Sequence, residues 1–301
     1  MSKFLKASEI INKSSESLDN FQFFSKMQVF SQTTSTTRYG KPYLVISMRD
    51  ITGNIPNIRK WLDTTDDLEK YREILKIGNV VEITGEFNKD YKNVAIIGAK
   101  VLDSNDYELN EFVDLPFIDE DLLIKQLFDT ISKIHNKYLK NLIENIFNDE
   151  EIKNKFFECP SAIKHHHSYR CGNLEHTIGM LNVFRNFEDF YNRNTELNVD
   201  LIYAGIILHD IGKIYEYTIY NGIPMMTGNS LIGHHSLGFQ LVSRFINEIS
   251  DFPNDLKNRI LHIILSHHGR KEWGSPVEPQ FSEAEIVHYL DMIDSRFKSQ
   301  S

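Results

Sequence analysis

Residues 201–213 read Leu-Ile-Tyr-Ala-Gly-Ile-Ile-Leu-His-Asp-Ile-Gly-Lys, an almost continuously apolar run that ends in the pair His209-Asp210. Apolar side chains on every face indicate a helix in the core of a helical domain. A carboxylate at the end of such a helix is costly to bury unless a cation or hydrogen bonds compensate its charge. The stretch therefore predicts a buried helix with a metal-ligating pair at its end.

The same pattern recurs through the second part of the chain. His267 and His268 follow the apolar residues 260–265, and 11 of the 12 histidines lie at or after residue 165. Neutral imidazoles together with carboxylates are typical ligands of divalent transition metals. Five separate segments place these residue types in or beside apolar helices: His176, His209-Asp210, His234, His267-His268 and Asp291.

Composition limits the classes of protein to consider. The chain has 301 residues, of which 41% are hydrophobic and 25% charged, as expected for a globular protein of about two domains. The formal net charge of -9 argues against a protein that coats nucleic acid. Two cysteines outside any C-x-x-C pair, no N-terminal signal pattern and no apolar run of membrane-spanning length predict a cytoplasmic protein without a membrane partner.

The first part of the chain has the pattern of β-strands. Runs rich in Val, Ile, Phe and Tyr are separated by turn residues and fall at 21–30, 41–51, 80–87 and 93–102. A polar helical stretch at 66–76 interrupts them. Since Pro56 cannot donate to a ladder, 54–61 is expected to be an edge or bulged strand. This order predicts an OB-fold β-barrel that binds nucleic acid, over residues 1–103.

The second part of the chain has a helical pattern. Residues 104–120 are polar and acidic and are predicted to be a linker. Beyond them apolar residues recur at spacings of three and four, which indicates an all-α helical bundle over residues 121–301. The predicted fold class is therefore multidomain α and β, with an N-terminal OB-fold followed by a helical bundle.

The segments around the histidines resemble the HD-domain metal-dependent phosphohydrolases. These segments include Leu208-His-Asp-Ile-Gly-Lys213, Ile232-Gly-His234, Leu265-Ser-His-His-Gly269 and His288-Tyr-Leu-Asp291. With an OB-fold in front, nearly the whole chain resembles the YhaM-type 3′-to-5′ exoribonucleases. It departs from that family at Cys171, at Asn173, and at His235, which adds an imidazole beside His234.

The resemblance implies two metal sites that share one carboxylate. The ligands of the first site would be His176, His209, Asp210 and Asp291. Those of the second would be His234, His267 and His268, with Asp210 bridging. Oxygen and nitrogen ligands without a thiolate favour manganese, with iron, cobalt and magnesium as alternatives. Two such ions would acidify a water and clamp the scissile phosphate.

Other side chains are expected to act on the substrate. The resemblance gives catalytic roles to Asp210, Lys213 and His234, and Lys213 would also approach a phosphate oxygen as a point charge. The remaining substrate-binding candidates are Arg270, His166, His167, Arg170, Tyr43 and Arg49. The last two alternate with apolar residues on the strand at 41–51, where an aromatic and basic face suits a single strand.

The sequence thus predicts a metal-dependent 3′-5′ exoribonuclease that hydrolyses single-stranded RNA to nucleoside monophosphates, with single-stranded DNA as a further substrate. Two alternatives stay open, because a fold alone does not set the substrate. One is an HD phosphodiesterase or nucleotidase acting on a small nucleotide. The other is a non-catalytic single-strand or DNA-binding protein, against which the intact ligand set argues. The oligomeric state is open, a homo-oligomer included.

Overall fold

The computed structural model describes residues 3–113, 116, 118–163, 167–194 and 197–297. Two compact units make up the chain. The first consists of Met1–Pro116 with Tyr220–Ile223, and the second of Phe117–Ile219 with Pro224–Ser301. Among the helices in the described ranges, none has the length and apolar character needed to cross a membrane.

The first unit contains a five-stranded sheet. Its elements are α1 (Ala7–Glu16), β1 (Phe21–Thr36), β2 (Pro42–Asp50), β3 (Gly53–Trp61), α2 (Thr65–Ile74), β4 (Val80–Asn88) and β5 (Asn93–Val101). The strand order β1-β2-β3-β5-β4 returns to β1, so the sheet closes on itself. Neighbouring strands are antiparallel except β3 and β5, which pair in parallel.

The alternation along β2 fills the inside of this sheet. Leu44, Ile46 and Met48 are fully buried, whereas Tyr43 and Arg49 are half-buried on the opposite face. This arrangement follows from the two-residue period of a strand. The register between β2 and β3 shifts opposite Pro56, so β3 is a bulged strand, as the proline predicted.

The predicted linker is partly built into the first unit. Short 3₁₀ helices cover Ser104–Asp106 and Leu109–Glu111. Beyond them, Phe112 and Val113 are buried in a small cluster with Val80. Part of the segment predicted to be a linker therefore packs against the first unit, because burial of its apolar side chains is favourable.

The second unit is a helical bundle that also contains most of a short hairpin, of which Tyr220–Ile223 belong to the first unit. Its helices are α3 (Glu120–Ser132), α4 (Lys137–Asn148), α5 (Glu150–Glu158), α6 (Gly172–Asn194), α7 (Val199–Leu208), α8 (Lys213–Glu216), α9 (His234–Asn247), α10 (Asn254–Ser266) and α11 (Ser282–Phe297). The hairpin strands are β6 (Tyr217–Tyr220) and β7 (Ile223–Met226). All eight residues from Leu201 to Leu208 are buried, so α7 is the central helix that its sequence predicts.

Candidate metal centre

Five segments of the helical unit bring all seven predicted ligand residues into one cluster. The segments are α6, the turn after α7, the start of α9, the end of α10 and α11. They contribute, in that order, His176, His209 and Asp210, His234, His267 and His268, and Asp291. The apolar helices form the walls of this cluster, and the polar residues lie where those helices begin or end.

The ligand atoms of the cluster form two sets. In one set, an atom from each of His176, His209 and Asp291 lies within 4.8 Å of the others. In the other, the same holds for His234, His267 and His268, and for His235 as a fourth member. The first set contains three residues of the first group that the resemblance implies, and the second contains three residues of the second group together with His235.

Asp210 lies between the two sets. Its Oδ2 is 3.1 Å from Nε2 of His209 and 3.9 Å from Nε2 of His176. Its Oδ1 is 3.4 Å from Nε2 of His267 and 3.6 Å from Nε2 of His234. Each carboxylate oxygen therefore faces a different set, which is the arrangement that a bridging carboxylate requires.

The chemistry of these atoms fits a divalent ion. Several are buried without a hydrogen-bond partner among the described residues: Asp210 Oδ1 and Nε2 of His209, His234, His235 and His267. An unsatisfied buried polar atom costs about 1–3 kcal/mol. Two atoms that each lie about 2.1 Å from one ion are about 3.0–3.4 Å apart, close to the separations around Asp210. The cluster could therefore hold metal.

Backbone carbonyls orient two of the imidazoles. Nδ1 of His209 lies 2.8 Å from the carbonyl oxygen of Ile206, and Nδ1 of His267 lies 2.8 Å from that of Ile264. These carbonyls belong to the last turns of α7 and α10, where the helix leaves them without a backbone partner. A ring that donates from Nδ1 directs the lone pair of Nε2 at the cluster.

Carboxylates orient two further imidazoles. Nδ1 of His176 is 2.7 Å from Oδ2 of Asp294, and Nδ1 of His234 is 2.7 Å from Oε2 of Glu216. Neither carboxylate is among the site residues that the sequence predicts. Asp294 follows Asp291 by three residues, a spacing that places both on one face of a helix, so its role was detectable in principle.

Two glycines allow the close approach of these elements. A Cβ at Gly179 would lie 2.1 Å from Oδ1 of Asp294, so only glycine leaves room for that carboxylate beside α6. A Cβ at Gly212 would lie 2.0 Å from the carbonyl oxygen of His234 and 2.5 Å from the amide of Gly238. The backbone of α9 therefore begins directly against the turn after α7, which delivers His234 to Asp210.

Burial lowers the pKa of three imidazoles of the second set. It lowers the pKa of His267 to about 4. Burial, reinforced by neighbouring imidazoles, also lowers the pKa of His268 to about 3 and depresses the pKa of His235 strongly. Neutral imidazole is the form that binds metal, so these rings are ready to act as ligands at neutral pH.

Ion pairs set the direction of the pKa shifts of His176, Lys213 and Asp210. Burial alone would lower the pKa of His176, but Asp291 and Asp294 raise it to about 9. Burial lowers the pKa of Lys213 as well, yet its ammonium lies 2.6 Å from Oδ2 of Asp210, and this attraction raises the pKa above its usual value. Lys213 in turn holds the pKa of Asp210 well below the ordinary range, although burial acts to raise it.

The predicted substrate contacts are more scattered than the ligands. His166 lies outside the described residues. The side chain of His167 is 0% exposed, and its Nε2 lies 3.0 Å from Oδ2 of Asp294. A ring enclosed in this way acts on the carboxylate that orients His176, and it is not placed to contact a substrate.

Two further cationic candidates are paired with carboxylates. Arg170 contacts Glu120 at 2.6 Å, and Arg270 contacts Glu272 at 3.2 Å while lying over the ring of Trp273. Tyr43 and Arg49 belong to β2 of the first unit. Within the second unit, the side chain of Lys213 directly contacts a proposed ligand, Asp210.

Comparisons with known proteins agree with this geometry. Residues 173–296 match the HD domain family. The chain is 29% identical over 280 residues to the 3'-5' exoribonuclease YhaM of Oceanobacillus iheyensis, which covers 91% of this chain and 84% of that protein. No solved structure matches the chain. The predicted resemblance is confirmed: residues 173–296 are similar to the HD domain family, and the chain is similar along most of its length to a 3'-5' exoribonuclease of the YhaM type.

Proposed function

We propose that this chain is a metal-dependent 3′-5′ exoribonuclease that hydrolyses single-stranded RNA to nucleoside monophosphates. The observation that carries the proposal is the pair of ligand sets joined by Asp210, inside the HD domain of a chain that is similar along most of its length to a 3'-5' exoribonuclease. We place the protein in the cytoplasm, and we propose single-stranded DNA as a second substrate.

The first ion would be held by His176, His209, Asp210 and Asp291, and the second by His234, His267 and His268 with Asp210. Nitrogen and oxygen donors favour manganese, iron or cobalt in these positions, with magnesium as a weaker candidate. The two cysteines add no thiolate, because burial raises the pKa of both Cys159 and Cys171 well above neutral pH.

A divalent pair, when bound, supplies an acidified water and neutralises charge on the phosphate. Asp210 keeps one oxygen toward each set, and Lys213 keeps it ionised. The protonated Lys213, beside Asp210, can donate a hydrogen bond to a phosphate oxygen of the substrate. His234, fixed through Nδ1 by Glu216, presents Nε2 to the same space and completes the proposed catalytic group.

We infer that the first unit is an OB-fold that binds the single strand. Support comes from the closed strand order and from the outer face of β2. There the rings of Tyr43 and Trp61 are 4.8 Å apart, and Arg49 lies over the ring of Phe30 at 4.7 Å. Aromatic rings beside arginine suit stacked bases, at about 1–3 kcal/mol per base.

The test is digestion of an oligoribonucleotide labelled at its 5′ end, with Mn²⁺ and the full-length chain. We expect a ladder of shortening products and, by mass spectrometry, nucleoside monophosphates. Asp210→Ala should abolish shortening, whereas the matched control Asp255→Ala, at an exposed carboxylate on α10, should not. A substrate labelled at the 3′ end should lose its label in the first turnover.

Two outcomes would overturn the proposal. The first is an oligoribonucleotide that stays intact while small nucleotides or cyclic dinucleotides are hydrolysed, which would favour the small-nucleotide phosphodiesterase. The second is shortening by Asp210→Ala at the wild-type rate, which would place the activity elsewhere.

A further inference from the structure

His235 is the one member of the four-imidazole set that the family resemblance leaves without a role. It is the second residue of α9 and is 7% exposed. Its ring centroid lies 4.2 Å from that of His234, 4.5 Å from that of His267 and 4.3 Å from that of His268. The imidazole is therefore enclosed by the three proposed ligands of the second ion.

One nitrogen of the His235 ring lies beside those of the other three imidazoles. Nε2 of His235 is buried and accepts or donates no hydrogen bond among the described residues. A ligand nitrogen of His235 also lies within 4.8 Å of those of the other three imidazoles. An imidazole that served only to fill space would leave this atom unsatisfied, at a cost that a purely apolar side chain would not carry.

We propose that His235 is a further ligand of the second metal ion and sets which metal that site prefers. The proposal rests on the proposed function in so far as that function places an ion in this set. With His235 the second set has four imidazoles and one carboxylate oxygen, whereas the first has two imidazoles and two carboxylates.

This difference in donors has a chemical consequence. Imidazole-rich sites favour transition ions such as Co²⁺, Fe²⁺ and Zn²⁺, while carboxylate-rich sites also suit Mg²⁺ and Mn²⁺. The second site should therefore reject Mg²⁺ more strongly than the first. Removal of His235 should weaken transition-metal binding at the second site. It should also make the two sites more alike in how strongly they reject Mg²⁺.

The test is a titration of the metal-stripped full-length protein with Co²⁺, monitored by calorimetry and by the visible absorption of the bound cobalt. A parallel titration uses Mg²⁺. For the wild type we expect two Co²⁺ per chain. Two variants test the role of this residue: His235→Leu fills the space, and His235→Gln keeps a polar group. Each should lower the affinity for one of the two Co²⁺ ions at least about 10-fold and change the absorption spectrum of that ion. The control His262→Gln, at a histidine of α10 that accepts a backbone hydrogen bond from Gln280, should change neither.

The outcomes separate this proposal from the one on which it rests. His176→Gln should lower the affinity for the Co²⁺ of the first set. It should leave unchanged the absorption of the second Co²⁺, which the His235 variants alter. Two Co²⁺ bound by both His235 variants with wild-type affinity and spectrum would overturn the role of His235 alone. A wild type that binds no Co²⁺ would overturn the metal centre itself. If circular dichroism shows that His235→Leu is unfolded, the result with His235→Gln decides.

Discussion

The pKa values of individual histidines in this chain depend more on their surroundings in the fold than on their place in the sequence. His176 lies between two carboxylates, which raise its pKa to about 9, whereas burial lowers that of His267 to about 4. Both were predicted as ligands from the same kind of apolar setting. Sequence identifies which residue types are available, but the protonation state follows from neighbours that arrive from other helices.

Asp294→Asn tests the carboxylate that orients His176. The amide has nearly the same shape, so it should still fit beside Gly179, but it removes the negative charge facing Nδ1. We expect the affinity for Mn²⁺ to fall about 10- to 100-fold, as for other groups that hold a ligand in place. Competition with a chelator of known affinity measures the effect.

Glu285→Gln, on the same helix α11, is the control and should leave the affinity unchanged. An affinity equal to that of the wild type in Asp294→Asn would show that this carboxylate has no influence on the metal.

The cysteines should be unreactive in the folded protein. Burial raises the pKa of Cys171 to about 12, so deprotonation begins only at strongly alkaline pH. At pH 8 its thiolate population should be about a thousand-fold below that of an exposed cysteine. Labelling with a thiol reagent at pH 8 should therefore be slow in buffer and fast in denaturant. Equal labelling rates in the two conditions would contradict the buried position.

At the scale of elements, the apolar segment at 201–213 is divided between two helices. α7 ends at Leu208 and α8 begins at Lys213, and the turn between them carries His209 and Asp210. Periodicity could not reveal this break, because the side chains on both sides of it remain buried. The helix α1 was not predicted, since it is short and mostly polar and buries only Ala7 and Ile10.

Gly212→Ala tests the contact between this turn and α9. The backbone of Gly212 is helical, with φ of -67°, so alanine adds no torsional strain and only the close approach to His234 is affected. We expect a loss of about 1–3 kcal/mol in the free energy of unfolding, together with weaker metal binding. Chemical denaturation and metal titration give the two quantities.

Gly228→Ala is the matched control, because a Cβ at Gly228 meets no atom within 4 Å. A Gly212→Ala variant as stable as Gly228→Ala would mean that α9 can move away without cost.

At the scale of the whole molecule, the excess acidic charge lies in the part of the chain that contains the ligands. Residues 1–110 carry 15 basic and 15 acidic side chains, so the net charge of -9 belongs entirely to the remainder. Bound divalent ions would change the sign of the local field at the cluster. The overall charge is therefore a poor guide to nucleic-acid binding for this chain.

Metal binding should stabilise the helical unit without a direct effect on the sheet. All proposed ligands lie in the second unit, so Mn²⁺ should slow amide hydrogen exchange in α6, α7, α9, α10 and α11. At a hundred-fold excess over Kd the gain in stability is about 2.7 kcal/mol. Exchange measured by mass spectrometry on the full-length chain, with and without chelator, gives the comparison. Slower exchange confined to β1–β5 would contradict the placement of the metal.

The sequence by itself determined the residue types of the centre, the strand-rich first part and the helical second part. Those features depend on local periodicity and on the rarity of charged groups after apolar helices. Only the tertiary structure decided that Asp210 faces both sets, that Asp294 and Glu216 hold His176 and His234, and that His167 is enclosed. It also placed His235 beside His234, His267 and His268. These contacts join residues far apart in the chain, and the packing of helices, which no local pattern records, brings them within a few ångströms.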